Sequence, residues 1–424
     1  MVFRILSLDG GGIRGIISAR ILQYIEQQLE KHQLGSLLDY FDLVAGTSTG
    51  SLIAGGIVMG RNATQLRGLY ENRGIDIFPY TSRFNLRRLR LVLQHGLSAP
   101  KFSDEGLKTV LKDEFGYDAT LGSITPDLEK SPKLLITAYD TLRREPLIFK
   151  SWRHDKWYAQ LPLWKVCACS ASAPTFFPAQ GPEGPEVQDM GQARGGNANT
   201  ITLASHAFRE EDAYKDMEIQ ILEGTGKGQV SKIGHYSGDL QIAQVNPPWK
   251  TPPDNTSTYG IKLQYSIIDG GVGANNPTAC AVAEAIRLLR HQQSEKQESS
   301  TSSSMSEILG QITVLSIGTG NLTSRIPWEQ VRSWGLAQWA PRIVDVIMDA
   351  PSDIHYYIAR QIITAADVDD ARSRHYLRLQ PRLSQDLAAI DNASPDYLRA
   401  LVKATDKYLS NREAQLTEFL RLQA

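Results

Sequence analysis

Ser48 stands at the centre of Gly46-Thr47-Ser48-Thr49-Gly50, directly after the apolar run Phe41-Asp42-Leu43-Val44-Ala45. A strand that runs into a tight turn of small residues and then into a helix leaves the central side chain exposed at the sheet edge in strained backbone geometry. Glycines two before and two after it, Gly46 and Gly50, remove the Cβ atoms that would collide there. The pattern constrains the chain to a strand, turn and helix that present the Ser48 hydroxyl as a nucleophile. The small-residue segment Ser51–Met59 continues as the helix, its positive end beneath the serine. A bare five-residue match also arises in ordinary glycine-rich turns, and the strand before it is what favours the nucleophile.

A second glycine cluster, Asp9-Gly10-Gly11-Gly12-Ile13-Arg14-Gly15, follows the apolar strand Phe3–Leu8 and opens a helix over 13–31. Ile13, Ile16, Ile17, Leu22, Ile25 and Leu29 recur at helical steps along it. Consecutive glycines at a helix start expose unpaired N–H groups, which can cradle a phosphate or an oxyanion. Gly10, Gly12 and Gly15 also satisfy G-x-G-x-x-G, so a nucleotide-binding enzyme stays open as an alternative. That reading wants an acidic residue at the end of the second strand; Asp42 lies near the start of that strand, Asp39 lies in the turn before it, and the strand ends at Ser48.

Tyr265-Ser266-Ile267-Ile268-Asp269-Gly270-Gly271 repeats the theme, a strand that ends in a carboxylate and two glycines. A serine hydroxyl is a weak nucleophile until a base takes its proton, and a carboxylate at a strand end can do so directly. Taken alone, Asp-Gly is a common turn signal. A Ser-His-Asp triad would instead draw on His291, His355 or His375, each of which sits in a context better explained by a solvated helical histidine.

Together the three segments resemble the patatin-like phospholipase family, in the order Asp9 to Gly15, Gly46 to Gly50, Asp269 to Gly271. Ala171-Ser172-Ala173-Pro174-Thr175-Phe176-Phe177-Pro178, Asn275-Asn276-Pro277 and Ser316-Ile317-Gly318-Thr319-Gly320 also match. The resemblance implies a lipid acyl hydrolase that acts on phospholipids or other fatty-acyl esters through a Ser48-Asp269 dyad. It further implies an oxyanion hole of backbone N–H groups from Gly10, Gly11, Gly12, Ile13 and Arg14, with no metal and no cofactor. Arg14 is expected to balance the anion, its plainer role being a pair with a surface carboxylate. A catalytically degenerate lipid- or partner-binding protein is the remaining alternative, and intact Ser48 and Asp269 weigh against it.

The chain of 424 residues, 42% apolar with a formal charge of −1, allows one large or two moderate cores, and its neutral balance argues against nucleic acid. No leader pattern and no run long enough to cross a bilayer is read, so the cytoplasm is the expected location, peripheral at membranes. Cys167, Cys169 and Cys280 are expected as free, mostly buried thiols. Strands at 3–8, 41–45, 133–139, 265–268 and 311–317 alternate with helices near 13–31, 50–59, 104–115 and 278–291. This predicts an α/β fold of three layers around a central, mostly parallel sheet. The polar tract Gln292–Ser304 reads as a mobile loop.

Residues 183–263 depart from the family pattern and read as an inserted small all-β module between two parts of one fold, 1–182 and 264–424. Short alternating strands are read at 201–204, 217–222, 229–233, 240–245 and 259–263. The pattern Asp212-Ala213-Tyr214, Gly224-Thr225-Gly226-Lys227-Gly228-Gln229 and Pro253-Asp254-Asn255-Thr256-Ser257-Thr258-Tyr259 is similar to small β modules of bacteriophage structural proteins. Gly224-Thr225-Gly226-Lys227-Gly228 is expected as a β-turn, since it lacks the spacing of a phosphate loop. The module's place just ahead of Asp269 predicts that it emerges beside the cleft, tuning access or holding a protein partner. Arg83-Phe84-Asn85-Leu86-Arg87-Arg88-Leu89-Arg90-Leu91-Val92-Leu93 is basic and apolar-rich; it is expected as a surface helix or lid, or as a peripheral membrane contact in which four arginines meet anionic headgroups. The tail from Trp328 has helical periods and no new catalytic cluster.

Overall fold

The computed structural model describes residues 2–82, 84–96, 98–129, 131–181, 188–296, 304–322, 327–339, 343–365 and 375–422. Its central sheet joins Ile267–Asp269, Lys133–Asp140, Leu43–Thr47, Phe3–Leu8, Ile312–Ile317 and Tyr376–Leu379, each hydrogen-bonded to the next. The last five of these are mutually parallel. Ile267–Asp269 and Glu145–Lys150 both run antiparallel to Lys133–Asp140.

Alternation along these strands sends neighbouring side chains to opposite faces, and so creates two cores from one sheet. Leu6, Leu8, Val44, Leu134, Ile136, Leu315 and Ile317 face one cluster, which helices Gly15–Lys31, Thr49–Val58, Glu105–Phe115 and Pro395–Ser410 complete. Phe3, Ile5, Leu43, Ala45, Leu135, Ile312 and Val314 face the other, built with Ala281, Val282 and Ala285 of helix Thr278–Lys296 and with Ala359 and Ile363. Both faces are covered, as near-continuous apolar strands require. The expected three-layer α/β fold with a mostly parallel sheet is therefore the fold of this chain.

Element boundaries depart from expectation where tertiary contacts decide them. The second strand begins at Leu43 rather than Phe41 and runs on to Thr47, because Asp42 is occupied across the sheet: its N–H donates to Arg4 O at 2.9 Å and its Oδ2 accepts from Arg4 N at 2.7 Å. Helix Thr278–Lys296 takes in Gln292–Lys296, the start of the tract read as a loop. Straight-chain polar residues have enough helix propensity to carry a last turn without an apolar face. Ser304 at the far end of the tract caps the next helix, its hydroxyl accepting from Glu307 N at 3.2 Å; residues 297–303 lie outside the described residues. Helix Ala63–Ile77, started by an Asn62/Gln65 capping box, was not expected.

A second, antiparallel sheet of seven strands occupies 188–262 in the order 188–192, 258–262, 218–223, 230–237, 242–246, 200–202, 195–197. It has its own core, with Ile201, Tyr214, Ile219, Tyr236, Trp249 and Tyr259 at its centre. Gly224, Gly226 and Gly228 turn the chain between two of its strands with φ of 76°, 83° and 85°, the β-turn expected in place of a phosphate loop. Phe208 packs against both this core and the larger one, and Lys156 pairs with Glu210 at 2.9 Å. No helix among the described residues is long and apolar enough to cross a membrane.

Candidate active site

Ser48 adopts φ 52° and ψ −124°, a conformation rarely held by residues with a side chain, at the junction of strand Leu43–Thr47 and helix Thr49–Val58. The flanking glycines make this possible. A Cβ on Gly46 would stand 2.4 Å from Gly50 O, and one on Gly50 would stand 2.2 Å from Leu8 O. Hydrogen bonds then fix the elbow: Ser48 N–H donates to Ser170 Oγ at 2.8 Å, Ser170 Oγ–H to Thr137 O at 2.7 Å, and Ser51 Oγ–H to Ser48 O at 2.6 Å.

Strand pairing explains how Asp269 reaches this serine from 221 positions away (269 minus 48). Lys133–Asp140 has two edges. Glu145–Lys150 takes one of them along 135–140, while Leu43–Thr47 pairs with 133–137 on the other. Ile267–Asp269, paired with 138–140, must therefore occupy the stretch of that second edge which Leu43–Thr47 vacates when it turns into the elbow. Two antiparallel strand ends thus meet head-on, one ending next to Ser48 and the other in Asp269. Gly270 allows the close fit, since a Cβ there would lie 2.3 Å from Thr137 O.

Asp269 is fully buried, and its Oδ1 accepts from Gly271 N–H at 2.7 Å. Its Oδ2 has no hydrogen-bond partner among the described residues. Burial pushes the carboxyl up to about 7, an effect that the nearby Ser48 hydroxyl and then the Gly271 N–H partly offset. The hydroxyl is close enough to favour the charged carboxylate, although the resting geometry does not form a full hydrogen bond.

The glycine loop is more selective than its sequence. Gly10 N–H donates to Asn275 O at 3.1 Å, Ile13 N–H to Ile390 O at 2.8 Å and Arg14 N–H to Gly11 O at 3.2 Å. Of the five N–H groups expected to face an oxyanion, those of Gly10, Ile13 and Arg14 are therefore committed elsewhere. Gly11 and Gly12 keep theirs without an acceptor among the described residues. For Gly10 and Ile13 the correction follows from tertiary carbonyls that no local pattern encodes, and for Arg14 from the tight helical turn over Gly12–Arg14. Gly12 sits at φ 58° with Ile390 O 2.1 Å from where a Cβ would stand, so only glycine fits. The Arg14 side chain is buried and lines the cavity.

Residues without an assigned role in the sequence hold this loop. Thr319 Oγ1–H donates to Gly10 O at 2.7 Å, and Arg378 grips Asp9 with both guanidinium arms, Nη1 to Oδ1 at 2.8 Å. Burial raises the Asp9 carboxyl and the Arg378 charge opposes it. Gly11→Ala tests the loop: its Cβ would stand 2.1 Å from Thr319 Oγ1 and 2.5 Å from Thr319 Cβ, forcing the strap off Gly10. Misplacing a backbone donor of this kind is expected to lower kcat roughly 10²- to 10³-fold on a soluble ester with KM little changed, as steady-state kinetics would read.

A cavity of about 90 Å³ joins these groups, with Ser48, Asp269, Asn275 and the glycine loop at one end. Leu69, Ile77, Phe78, Leu107, Phe176 and Phe177 make the rest of it apolar. Helix Ala63–Ile77 supplies part of this wall. None of His291, His355 and His375 lines it, and His355 Nδ1 instead lies 3.0 Å from Asn276 O. The second sheet contributes no lining residue either, which corrects the expectation that it borders the cleft; it meets the rest of the chain at Asp140–Leu147, Trp157 and Tyr158. Of the arginines in 83–93, Arg83 lies outside the described residues. Arg88 is buried and donates to Ala99 O and Pro100 O, leaving Arg87 and Arg90 exposed. Cys167 and Cys169 are buried free thiols and Cys280 is a half-buried one.

Residues 6–191 match the family model of the patatin-like phospholipases. The chain is 25% identical to patatin-like protein 3 of Arabidopsis thaliana over 97% of its own length and 82% of that protein. It is 32% identical to a cGAMP-activated phospholipase of Escherichia coli (strain TW11681) over 41% of this chain and 47% of that one. Among solved structures, human GIVD cytosolic phospholipase A2 aligns with a TM-score of 0.38 at 11% identity, over all of this chain and 60% of that one.

Proposed function

We propose that this chain is a patatin-like phospholipase, an ester hydrolase that cleaves fatty-acyl esters of phospholipid type through a Ser48-Asp269 dyad and an acyl-enzyme. The observation that carries this reading is the buried Asp269 carboxyl beside the strained Ser48, with one oxygen unpartnered among the described residues and a pKa pushed up to about 7. A base must be ionised at working pH and still bind a proton strongly, and a buried carboxyl meets both needs.

In this reaction Ser48 Oγ attacks the acyl carbonyl while Asp269 Oδ2 takes the hydroxyl proton. The carbonyl oxygen becomes an oxyanion that the Gly11 and Gly12 N–H groups hold. Collapse breaks the ester C–O bond, and the proton on Asp269 passes to the departing alcohol. Water then repeats the sequence: its proton goes to Asp269, its oxygen to the acyl carbon, and the proton returns to Ser48 Oγ as the fatty acid leaves. The apolar end of the cavity suits the acyl chain and offers nothing to a nucleotide's phosphates. The dyad reading assigns residues 1–182 and 264–424 to one catalytic fold, with 183–263 as an inserted module that acts outside the cavity, its surface free for a protein partner.

An alkyl fluorophosphonate, which mimics the tetrahedral intermediate, is expected to label the protein once, on Ser48, and to stop ester hydrolysis in proportion to labelling. Peptide mass mapping reads the site. A label elsewhere, or full labelling with undiminished hydrolysis, would end the proposal.

A further inference from the structure

Between Asp76 and Asp104 the chain carries no carboxylate, while it carries Arg83, Arg87, Arg88, Arg90 and Lys101. In a sequence with 46 acidic residues among 424, that gap is a local positive field in an otherwise balanced protein. The same stretch exposes four large apolar side chains. Phe84 is 98% exposed, Leu86 87%, Leu93 78% and Leu89 55%. Leu86, Leu89 and Leu93 are spaced three and four apart along Leu86–Arg88 and the helix Leu89–His95, and so form one stripe, with exposed Arg87 and Arg90 beside it. Leu91 and Val92 turn inward, half-buried.

The stripe is built onto the cavity wall. Arg88, buried, ties the helix to the carbonyls of Ala99 and Pro100. The chain then pairs with the segment that lines the cavity, Lys101 N–H donating to Thr175 O at 2.9 Å and Phe102 N–H to Phe176 O at 2.8 Å. Lys101 also pairs with Asp391, beside the Ile390 whose carbonyl accepts from Ile13 N–H. An apolar stripe edged by cations and fixed next to a long-chain acyl site has the chemistry of an interfacial helix: leucines and phenylalanine enter the acyl boundary while arginines stay at the headgroups.

We propose that Phe84–Leu93 docks the protein on a bilayer that carries anionic lipid and so delivers substrate to the Ser48 cavity. This rests on the acyl-hydrolase reading for its substrate and deepens it with a surface and a partner. The test is sedimentation of the full chain with phosphatidylcholine vesicles, with and without phosphatidylglycerol, alongside hydrolysis of a short-chain soluble ester. Because all four side chains are exposed, Leu86→Glu/Leu93→Glu leaves folding and soluble-ester hydrolysis unchanged. It is expected to lower vesicle partitioning at least about tenfold. Arg87→Gln/Arg90→Gln is expected to lower partitioning onto the anionic vesicles roughly 25-fold, two contacts of about 1 kcal/mol each, with little effect on neutral ones.

Wild-type partitioning indifferent to lipid charge, or unchanged in the leucine variant, would overturn the proposal. So would light scattering that finds a dimer converted to monomer by Leu86→Glu/Leu93→Glu, which would make a second copy the occupant. Vesicle binding without Ser48-dependent hydrolysis would instead leave the docking surface standing and remove the acyl-hydrolase reading.

Discussion

Ser48→Ala and Ser48→Gly are both expected to lower kcat/KM for a p-nitrophenyl ester by roughly 10⁵-fold or more, the scale seen when a covalent nucleophile is removed. Their stabilities should differ. Alanine keeps a Cβ at φ 52°, so it inherits the strain that Ser48 carries. Glycine adopts that conformation freely. Relief of a strained residue is worth on the order of 1–3 kcal/mol, against which glycine loses up to about 1 kcal/mol through a more flexible unfolded chain. Urea denaturation should therefore place Ser48→Gly about 1 kcal/mol above Ser48→Ala. Both variants should remain folded and inactive. Residual turnover near the wild-type rate in either would mean that another group carries the reaction. Equal stability of the two would mean that the elbow stores no strain.

What the sequence made legible was whatever one segment could announce by itself. Phe3–Leu8, Leu43–Thr47 and Ile312–Ile317 were readable because strands buried on both faces are mostly apolar and these run into glycine-containing turns. The elbow was readable because Gly46 and Gly50 are demanded by contacts within the turn and with the adjacent strand. Helix Ala63–Ile77 escaped notice: Gly68 and Gly74 interrupt its period, and its apolar residues face both the core and the cavity rather than one stripe. The pairing of Ser48 with Asp269 came from resemblance, since its cause is an edge shared by two strands against a third. The division of labour in the glycine loop was beyond reach for a similar reason. Which N–H groups stay free depends on carbonyls of Asn275 and Ile390, more than 260 positions away. Arg88 shows the opposite failure: a residue read as facing membrane from its charge is buried against two carbonyls, and among the described arginines of the stretch Arg87 and Arg90 keep the exposed position.

Asp269→Asn should separate catalysis from stability most sharply. Kinetically it removes the base and keeps the shape, so kcat/KM is expected to fall roughly 10³- to 10⁴-fold. On the proposed mechanism, wild-type activity requires the ionised carboxyl. The acid limb of its pH profile should therefore rise with a midpoint near 7, where burial holds this group, and not near 4, where an exposed aspartate would put it. Stability runs the other way. Because the folded state raises this pKa, the folded protein binds the proton more tightly than the unfolded chain does. That contribution is fully present below about pH 4 and is lost as pH rises through about 7. At pH 8 the wild type thus holds a buried, poorly compensated charge. Asparagine carries none, its Oδ1 can still accept from Gly271 N–H, and its amide can donate to Ser48 Oγ. The variant is expected to be more stable than wild type by roughly 2–4 kcal/mol at pH 8, with the gap closing toward pH 4. Urea titrations at the two pH values and a pH-rate profile would check both halves. A variant less stable at pH 8, or a wild-type acid limb near 4, would show that Asp269 is held by partners rather than desolvated, and a base of that kind would be too weak to activate the serine.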